Sequence, residues 1–184
     1  MNDGAPGPLR RPMEQATETT PEERDRAPDP AALKRALGSF VTGVTVVTAL
    51  DRAKQLQGLT ANAFTSLSLD PPLILVCIGY ATRTYAAAAE NRRFAVHILG
   101  DGQADIALAF SNQGVARAGI SPWRVNARGF AMLDRFHAAL ECRLHAEFPG
   151  GDHAILIGRV EAIHAEQAAP APLVYYRKRM LALP

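Results

Sequence analysis

Three groups of residues in this sequence could do chemistry. The stretch GLTANAFTSLSLDPP, Gly58 to Pro72, carries Thr60, Ala61, Asn62, Thr65 and Ser66 where a strand ordinarily holds bulky side chains. Short side chains leave backbone N–H and C=O groups open to close approach. Asn62 adds a donor and an acceptor, and Thr65 and Ser66 add hydroxyls. Such a ribbon suits the rim of a flat ligand rich in heteroatoms, although an edge strand facing water has the same composition. The second group is Thr82, Arg83 and Thr84, just ahead of an alanine run. Unpaired N–H groups at a helix start, two hydroxyls and a guanidinium favour a phosphate group; the alternative is a solvated surface arginine. The third is His153, in GGDH beside a tight turn. Its imidazole can orient a ligand or deliver a proton.

Other chemistries are poorly served. No two of the five histidines, His97, His137, His145, His153 and His164, have helical metal-ligand spacing, and two distant cysteines cannot complete a zinc set. No metal site is expected. A G-x-G-x-x-G fingerprint, a phosphate loop of the G-x-x-x-x-G-K-[ST] type and a G-x-S-x-G elbow are all missing. His97 alternates within an apolar strand and reads as a packed core residue.

The elements that position these groups are mostly strands. DPAALKRALGSF places Leu33, Leu37 and Phe40 at helical spacing behind an Asp-Pro start, which predicts a short amphipathic helix. TGVTVVTAL, the polar link DRAKQ and the small-residue strand predict a hairpin. DPPLILVCI is a continuous apolar run that fits a strand covered on both faces. GYATRTYAAAAENRR predicts a helix with Thr82 or Thr84 as N-cap, FAVHILG a strand, and DGQADIALAFS a turn and a short helix. Residues 112 to 128 read as an irregular surface excursion anchored by Trp123. AALECRLHAEF, HAILIGRVEAIHAE and PLVYY are further strands, with PGGD as the turn between the first two. An antiparallel, mostly β barrel with short α insertions fits this order.

The 184 residues suit about one domain, with 48% apolar and 21% charged residues. A net charge of +2 argues neither for nucleic acid nor for a membrane surface, and no apolar run approaches the roughly 20 residues that span a bilayer. Residues 1 to 30 hold seven acids, four bases and six of the thirteen prolines, with almost no aliphatic content. Such a segment cannot offset its own ordering entropy and is expected to be a disordered tail ahead of a folded domain over residues 31–184. The lack of a secretory pattern, and Cys77 and Cys142 in apolar segments, predict a cytoplasmic protein with buried free thiols.

In their order, F-x-T-G-V-T-V-V-T, G-L-T-A-N-A-F-T-S-L-S-L-D-P-P-L-I-L-V-C, T-R-T and R-F-A-V-H-I-L closely resemble the flavin reductase-like family. The similarity continues through ALAFS, SPW, LECR, GGDHAILIG and PLVYYRKR, covering essentially residues 33 to 180. It implies an FMN-binding split β-barrel, antiparallel and Greek-key-like, in a homodimer. It also implies an NAD(P)H:flavin oxidoreductase, passing hydride from NADH or NADPH to FMN or FAD and supplying a partner flavin-dependent monooxygenase. By the same resemblance, Thr60, Ala61 and Asn62 meet the isoalloxazine edge, and Thr65 and Ser66 the ring or the ribityl chain. Thr82, Arg83 and Thr84 hold the phosphate, and His153 lies near the nicotinamide. Tyr175, Tyr176, Arg177 and Arg179 match the family's C-terminal segment near both. There the chain departs from the usual pattern, with Lys178 in place of glycine and Met180 in place of an aromatic residue. A basic end exposed to water is the competing reading of that segment. A flavin carrier or sensor without reductase activity, and a plain interaction barrel, are the competing functions.

Overall fold

A computed structural model describes residues 28–111, 122–165 and 171–182. Most of the expected N-terminal tail, and residues 112–121 of the expected excursion, lie outside the described residues. The chain divides into two compact units at Leu37/Gly38. In the first, helix α1 (Pro30–Leu37) starts where the Asp-Pro pair predicts: the Asp29 carboxylate accepts from the N–H groups of Ala31 and Ala32, each at 3.1 Å. Its expected apolar stripe is not buried, with Leu33 47% and Leu37 64% exposed, and Phe40 falls beyond the helix end.

The second unit is built from twelve strands, β1 (Thr42–Gly43), β2 (Thr45–Leu50), β3 (Leu56–Ala61), β4 (Phe64–Leu69), β5 (Pro72–Gly79), β6 (Arg93–Ile98), β7 (Trp123–Val125), β8 (Ala131–Leu133), β9 (Ala138–Gly150), β10 (His153–Ala165), β11 (Leu173–Tyr176) and β12 (Arg179–Ala182). Among the described residues of this unit, two helices join these strands, α2 (Arg83–Asn91) and α3 (Ala104–Ser111). Seven strands form one sheet in the order β3-β2-β6-β9-β10-β5-β4, β1, β11 and β12 form a second, and β7 with β8 a ribbon. Every strand pairing is antiparallel. The β9–β10 hairpin lies between β6 and β5, a Greek-key-like order, so the mostly β, antiparallel class holds.

One expectation changes. The small-residue ribbon is two strands, not one: it breaks at Asn62–Ala63, and its halves lie on opposite edges of the large sheet. Ala61 ends one edge and Phe64 begins the other. Three Cα steps span at most about 11 Å, so the sheet must curl until its edges face each other. β3 and β4 do not pair, which leaves the barrel open along this seam. The Cys77 N–H donates to the Ala63 carbonyl at 3.0 Å, tying the crossing to β5.

Val47, Val76, Phe94, Leu144 and Leu156 fill the interior of the curled sheet. Helix α2 closes it with Ala87 and Ala88, whose small side chains let the helix axis come close to the strands. On the other face of β2, Val44 and Val46 pack under Ile106 and Phe110 of α3, so β2 is buried throughout. The β7–β8 ribbon, unforeseen as a strand pair, covers Ala95 and Ala139 with Phe130 and Met132. By contrast β5, expected to be covered on both faces, alternates: Ile74, Val76 and Ile78 are buried, whereas Leu73, Leu75 and Cys77 are partly open. On that second face, Cys77 lines the cavity at the seam.

His97 is fully buried, as expected of a core residue. Its Nδ1 faces the Val46 carbonyl at 3.2 Å, and its Nε2 accepts from the Leu133 N–H at 3.1 Å. Nδ1 therefore carries the proton in a neutral ring that joins β6, β2 and β8. Burial pushes its pKa down to about 4, from an ordinary 6.5. Below pH 6.5 the unfolded chain takes up a proton that the native ring refuses, so this residue removes stability between pH 6.5 and about 4. Denaturant melts over that window are expected to lose roughly 1 kcal/mol per pH unit through this group. His97→Gln, able to keep one of the two hydrogen bonds, is expected to be less stable at pH 7 and to lack that slope.

Candidate functional site

A cavity of about 410 Å³ opens at the seam. The end of β3 and its crossing supply Thr60, Ala61, Asn62 and Ala63; the end of β5 supplies Cys77, Ile78 and Gly79. Thr82, Arg83 and Thr84 enter from the start of α2, Phe110 and Ser111 from the end of α3, and His153 from the first residue of β10. The fold thus collects predicted residues separated by more than 90 positions, because the crossing, the α2 start and the β9–β10 turn all sit at one end of the seam.

Local geometry assigns these residues different tasks. The Thr60 hydroxyl donates to the Ala107 carbonyl at 2.6 Å, so it clamps β3 to α3. The Thr82 hydroxyl accepts from the Tyr85 N–H at 3.1 Å and donates to the Gly79 carbonyl at 2.9 Å. It is the N-cap of α2, the first of the two candidates the sequence offers, and both hydrogen-bonding roles of its oxygen are engaged. Anion capacity at this end therefore rests on the N–H groups of Arg83 and Thr84, which precede the intrahelical bonds, and on the exposed Arg83 guanidinium. Asn62 is exposed at the crossing.

His153 is half exposed, and its Nδ1 lies 2.7 Å from Asp152 Oδ1. The hydrogen bond from His153 holds the Asp152 carboxyl below its ordinary range, so at neutral pH it is a carboxylate that fixes the ring. Nε2 is thereby turned toward Gly79: a Cβ placed on that glycine would lie 3.7 Å from it and 3.8 Å from Thr82 Cγ2. The Tyr80 N–H donates to the Asp152 carbonyl at 3.2 Å, which anchors the turn. Tyr80 meets Tyr85 edge to face at 5.1 Å between ring centres, and the Tyr85 hydroxyl donates to Glu147 at 2.6 Å. That bond pushes the phenol up to about 12. Cys77 and Cys142 are free, as expected; Cys142 is buried, but Cys77 is only partly so and faces the cavity. Burial raises the Cys77 pKa, so it is a neutral thiol rather than a nucleophile.

Thr65, Ser66, Tyr176 and Arg177 do not line this cavity. Thr65 lies along a separate hollow with Phe40, Val41 and Phe64, and Ser66 is exposed on β4. The strand break accounts for this: beyond Asn62 the chain leaves for the opposite edge. Tyr176 and Arg177 stack on each other, the guanidinium 5.2 Å from the ring centre. Their neighbours Tyr175 and Met180, cross-strand partners in the β11–β12 hairpin, instead line a second cavity of about 280 Å³. Thr60, Ala61, Asn62 and Ser111 border both cavities, so the two form one groove around the crossing.

Gly58, Phe110 and Ser111 were missed as site residues. A Cβ on Gly58 would stand 2.7 Å from Phe110 Cε1, so the glycine exists to admit that ring. A lone glycine opening an otherwise β-rich run was the available signal.

Residues 37–184 match the family model described as the flavin reductase like domain. An NADH-dependent flavin reductase of a Rhodococcus species is 37% identical over 162 residues, covering 85% of this chain and 88% of that protein. The stachydrine N-demethylase reductase subunit of Rhizobium meliloti is 40% identical over 73% of this chain. The chain spans about half the length of two Rhizobium meliloti relatives, 58% of that subunit and 43% of another. Among solved structures, the NADH:FAD oxidoreductase of Streptomyces globisporus, in complex with NAD and FAD fragments, superimposes with a TM-score of 0.78 at 32% identity. That match covers 92% of this chain and 98% of the other.

The C-terminal hairpin carries a cost. Arg177 and Lys178 both have positive φ, 47° and 63°, in a two-residue turn that favours glycine or asparagine. Lys178→Gly is expected to raise stability by about 1 kcal/mol, read as a higher denaturant midpoint at unchanged slope.

Proposed function

Since the chain belongs to the flavin reductase-like family, we propose that it is an NAD(P)H:flavin oxidoreductase whose active site is the groove at the Asn62–Ala63 crossing. One observation carries this reading: the fold gathers a small-residue backbone edge, a helix N-terminus with an arginine and a carboxylate-oriented histidine into one cavity.

These residues suit a flavin. The short side chains of Ala61, Asn62 and Ala63 leave main-chain groups free to meet a planar ring, and Arg83 with the start of α2 suits the phosphate of FMN or FAD. When bound, the flavin supplies the redox chemistry, accepting hydride from NADH or NADPH. The protein's share is orientation and charge. N–H groups of the crossing would stabilise negative charge on a bound ring, and the groove would hold the two cofactors together. Asp152 holds the His153 ring so that Nε2 faces the cavity beside Gly79, where it would present its lone pair, or its proton, to a bound nicotinamide. A neutral Cys77 thiol fits a site where no covalent step is needed.

Relatives named as the reductase subunit or component of a flavin-dependent monooxygenase, in Mycobacterium tuberculosis and Acinetobacter baylyi, support a place as the reductase component of a two-component system, with reduced flavin passed to a partner flavin-dependent monooxygenase. Free cysteines fit a reducing, cytoplasmic compartment, and no helix among the described residues is long and apolar enough to cross a membrane. A homodimer fits the hollow of about 360 Å³ beside exposed Phe40 and Val41. Residues 31–184 then form the working domain.

Mixing the protein with NADH and either FMN or FAD, and following absorbance at 340 nm, tests the activity. Flavin-dependent loss of NADH is expected; tight flavin binding without it would indicate a carrier instead. His153→Ala is expected to slow turnover about tenfold or more while changing flavin affinity little, and unchanged turnover removes that role. Light scattering at micromolar concentration is expected to give the mass of two chains, and a monomer mass refutes the dimer.

A further inference from the structure

On the outer face of the large sheet, far along β10 from His153, the strand register sets three arginines side by side. Arg93 of β6 is directly opposite Arg143 of β9, and Arg143 is opposite Arg159 of β10. Facing residues on neighbouring strands stand about 5 Å apart at Cβ, and like charges so placed destabilise a sheet. A fourth guanidinium, Arg128, reaches the row from the turn between β7 and β8.

Their counter-charges are few and already engaged. Glu141 is fully buried; it accepts from Arg128 Nε at 2.6 Å and also from Asn126 at 2.6 Å, and lies 2.7 Å from His164 Nε2. Glu161 accepts from Arg143 Nε at 2.6 Å and from Arg128 Nη2 at 3.2 Å. Arg93 gives one N–H to the Arg128 carbonyl at 3.1 Å and lies over the Phe130 ring. The Arg159 guanidinium has no hydrogen bond or ion pair among the described residues. Four cations against two carboxylates leave a charge of +2 around a cavity of about 570 Å³, which shares no lining residue with the groove at the crossing.

We propose that this arginine row is a second ligand site, for the phosphate or diphosphate group of a small molecule. The bonds to Glu141, Glu161 and the Arg128 carbonyl hold three of the guanidinium groups in place and leave further N–H edges free. Planar, pre-oriented forks of this kind match phosphate oxygens two at a time. A phosphate carries about −1.5 to −2, which balances the residual charge. An anion there removes the repulsion that the register imposes, which gives the row a reason to exist. The cavity volume lies in the range of small-molecule sites.

Calorimetric titration of inorganic pyrophosphate into the full chain tests this. With the flavin groove kept filled by saturating FMN, saturable binding is expected, weakened about tenfold or more in Arg159→Gln and unchanged in Arg83→Gln, which alters only the flavin groove. Arg159 is exposed and unpaired, so that variant is expected to fold and to keep its flavin-dependent NADH oxidation. Three results overturn the proposal: no saturable binding at millimolar pyrophosphate, equal affinity in Arg159→Gln, or loss confined to Arg83→Gln. Binding of a polyglutamate peptide but not of pyrophosphate also overturns it and assigns the face to an acidic protein surface.

Discussion

The rest of the molecule depends on the two-residue crossing at Asn62–Ala63. It joins the two edges of a seven-stranded sheet, so chain connectivity alone forces the sheet to curl and leaves a seam where hydrogen bonding does not close it. A curled sheet has an interior, which α2 fills with alanines. An open seam has unpaired backbone beside it, which large side chains would cover and small ones leave bare. The run from Thr60 to Ala63 therefore has one composition for two reasons: the crossing needs compact residues to pass between edges, and the groove needs a backbone that a ligand can touch.

The site that results is assembled from element ends rather than from any one element. Thr82 illustrates how structure and function share atoms there. Its hydroxyl starts α2, and by doing so it orients the free N–H groups of the first turn. His153 shows the same economy: the turn that begins β10 also places Asp152 against the imidazole. The one thiol described in the groove, Cys77, has its pKa raised by burial and is not an activated nucleophile. The arginine row on the far face follows another rule. There the charges come from strand interiors in register, and the protein satisfies them incompletely.

Much of the fold was legible in the sequence. The strands of β5, β6, β9 and β10, the α2 helix with its Thr82 cap and the core character of His97 all follow from periodicity, capping chemistry and apolar context. Legibility failed where a choice depended on distant partners. Nothing local in Phe64–Leu69 says that it leaves β3 for the opposite edge, and so Thr65 and Ser66 looked like continuations of the Thr60 edge. In the C-terminal hairpin, Tyr175 and Tyr176 are equivalent by composition. Strand alternation, set by pairing with β1 and β12, turns Tyr175 with Met180 into the groove and leaves Tyr176 to stack with Arg177.

By itself the sequence determined the longer strands and the helices, where α1 and α2 begin, and which residue types could meet a flat anionic ligand, because those depend on side chains a few positions apart. Only the tertiary structure decided which of those residues share a cavity, which way His153 Nε2 faces, and that three arginines on separate strands stand in one row. Register and sheet closure are long-range properties, set by how all the strands bury their apolar faces together, and no short window of residues carries them.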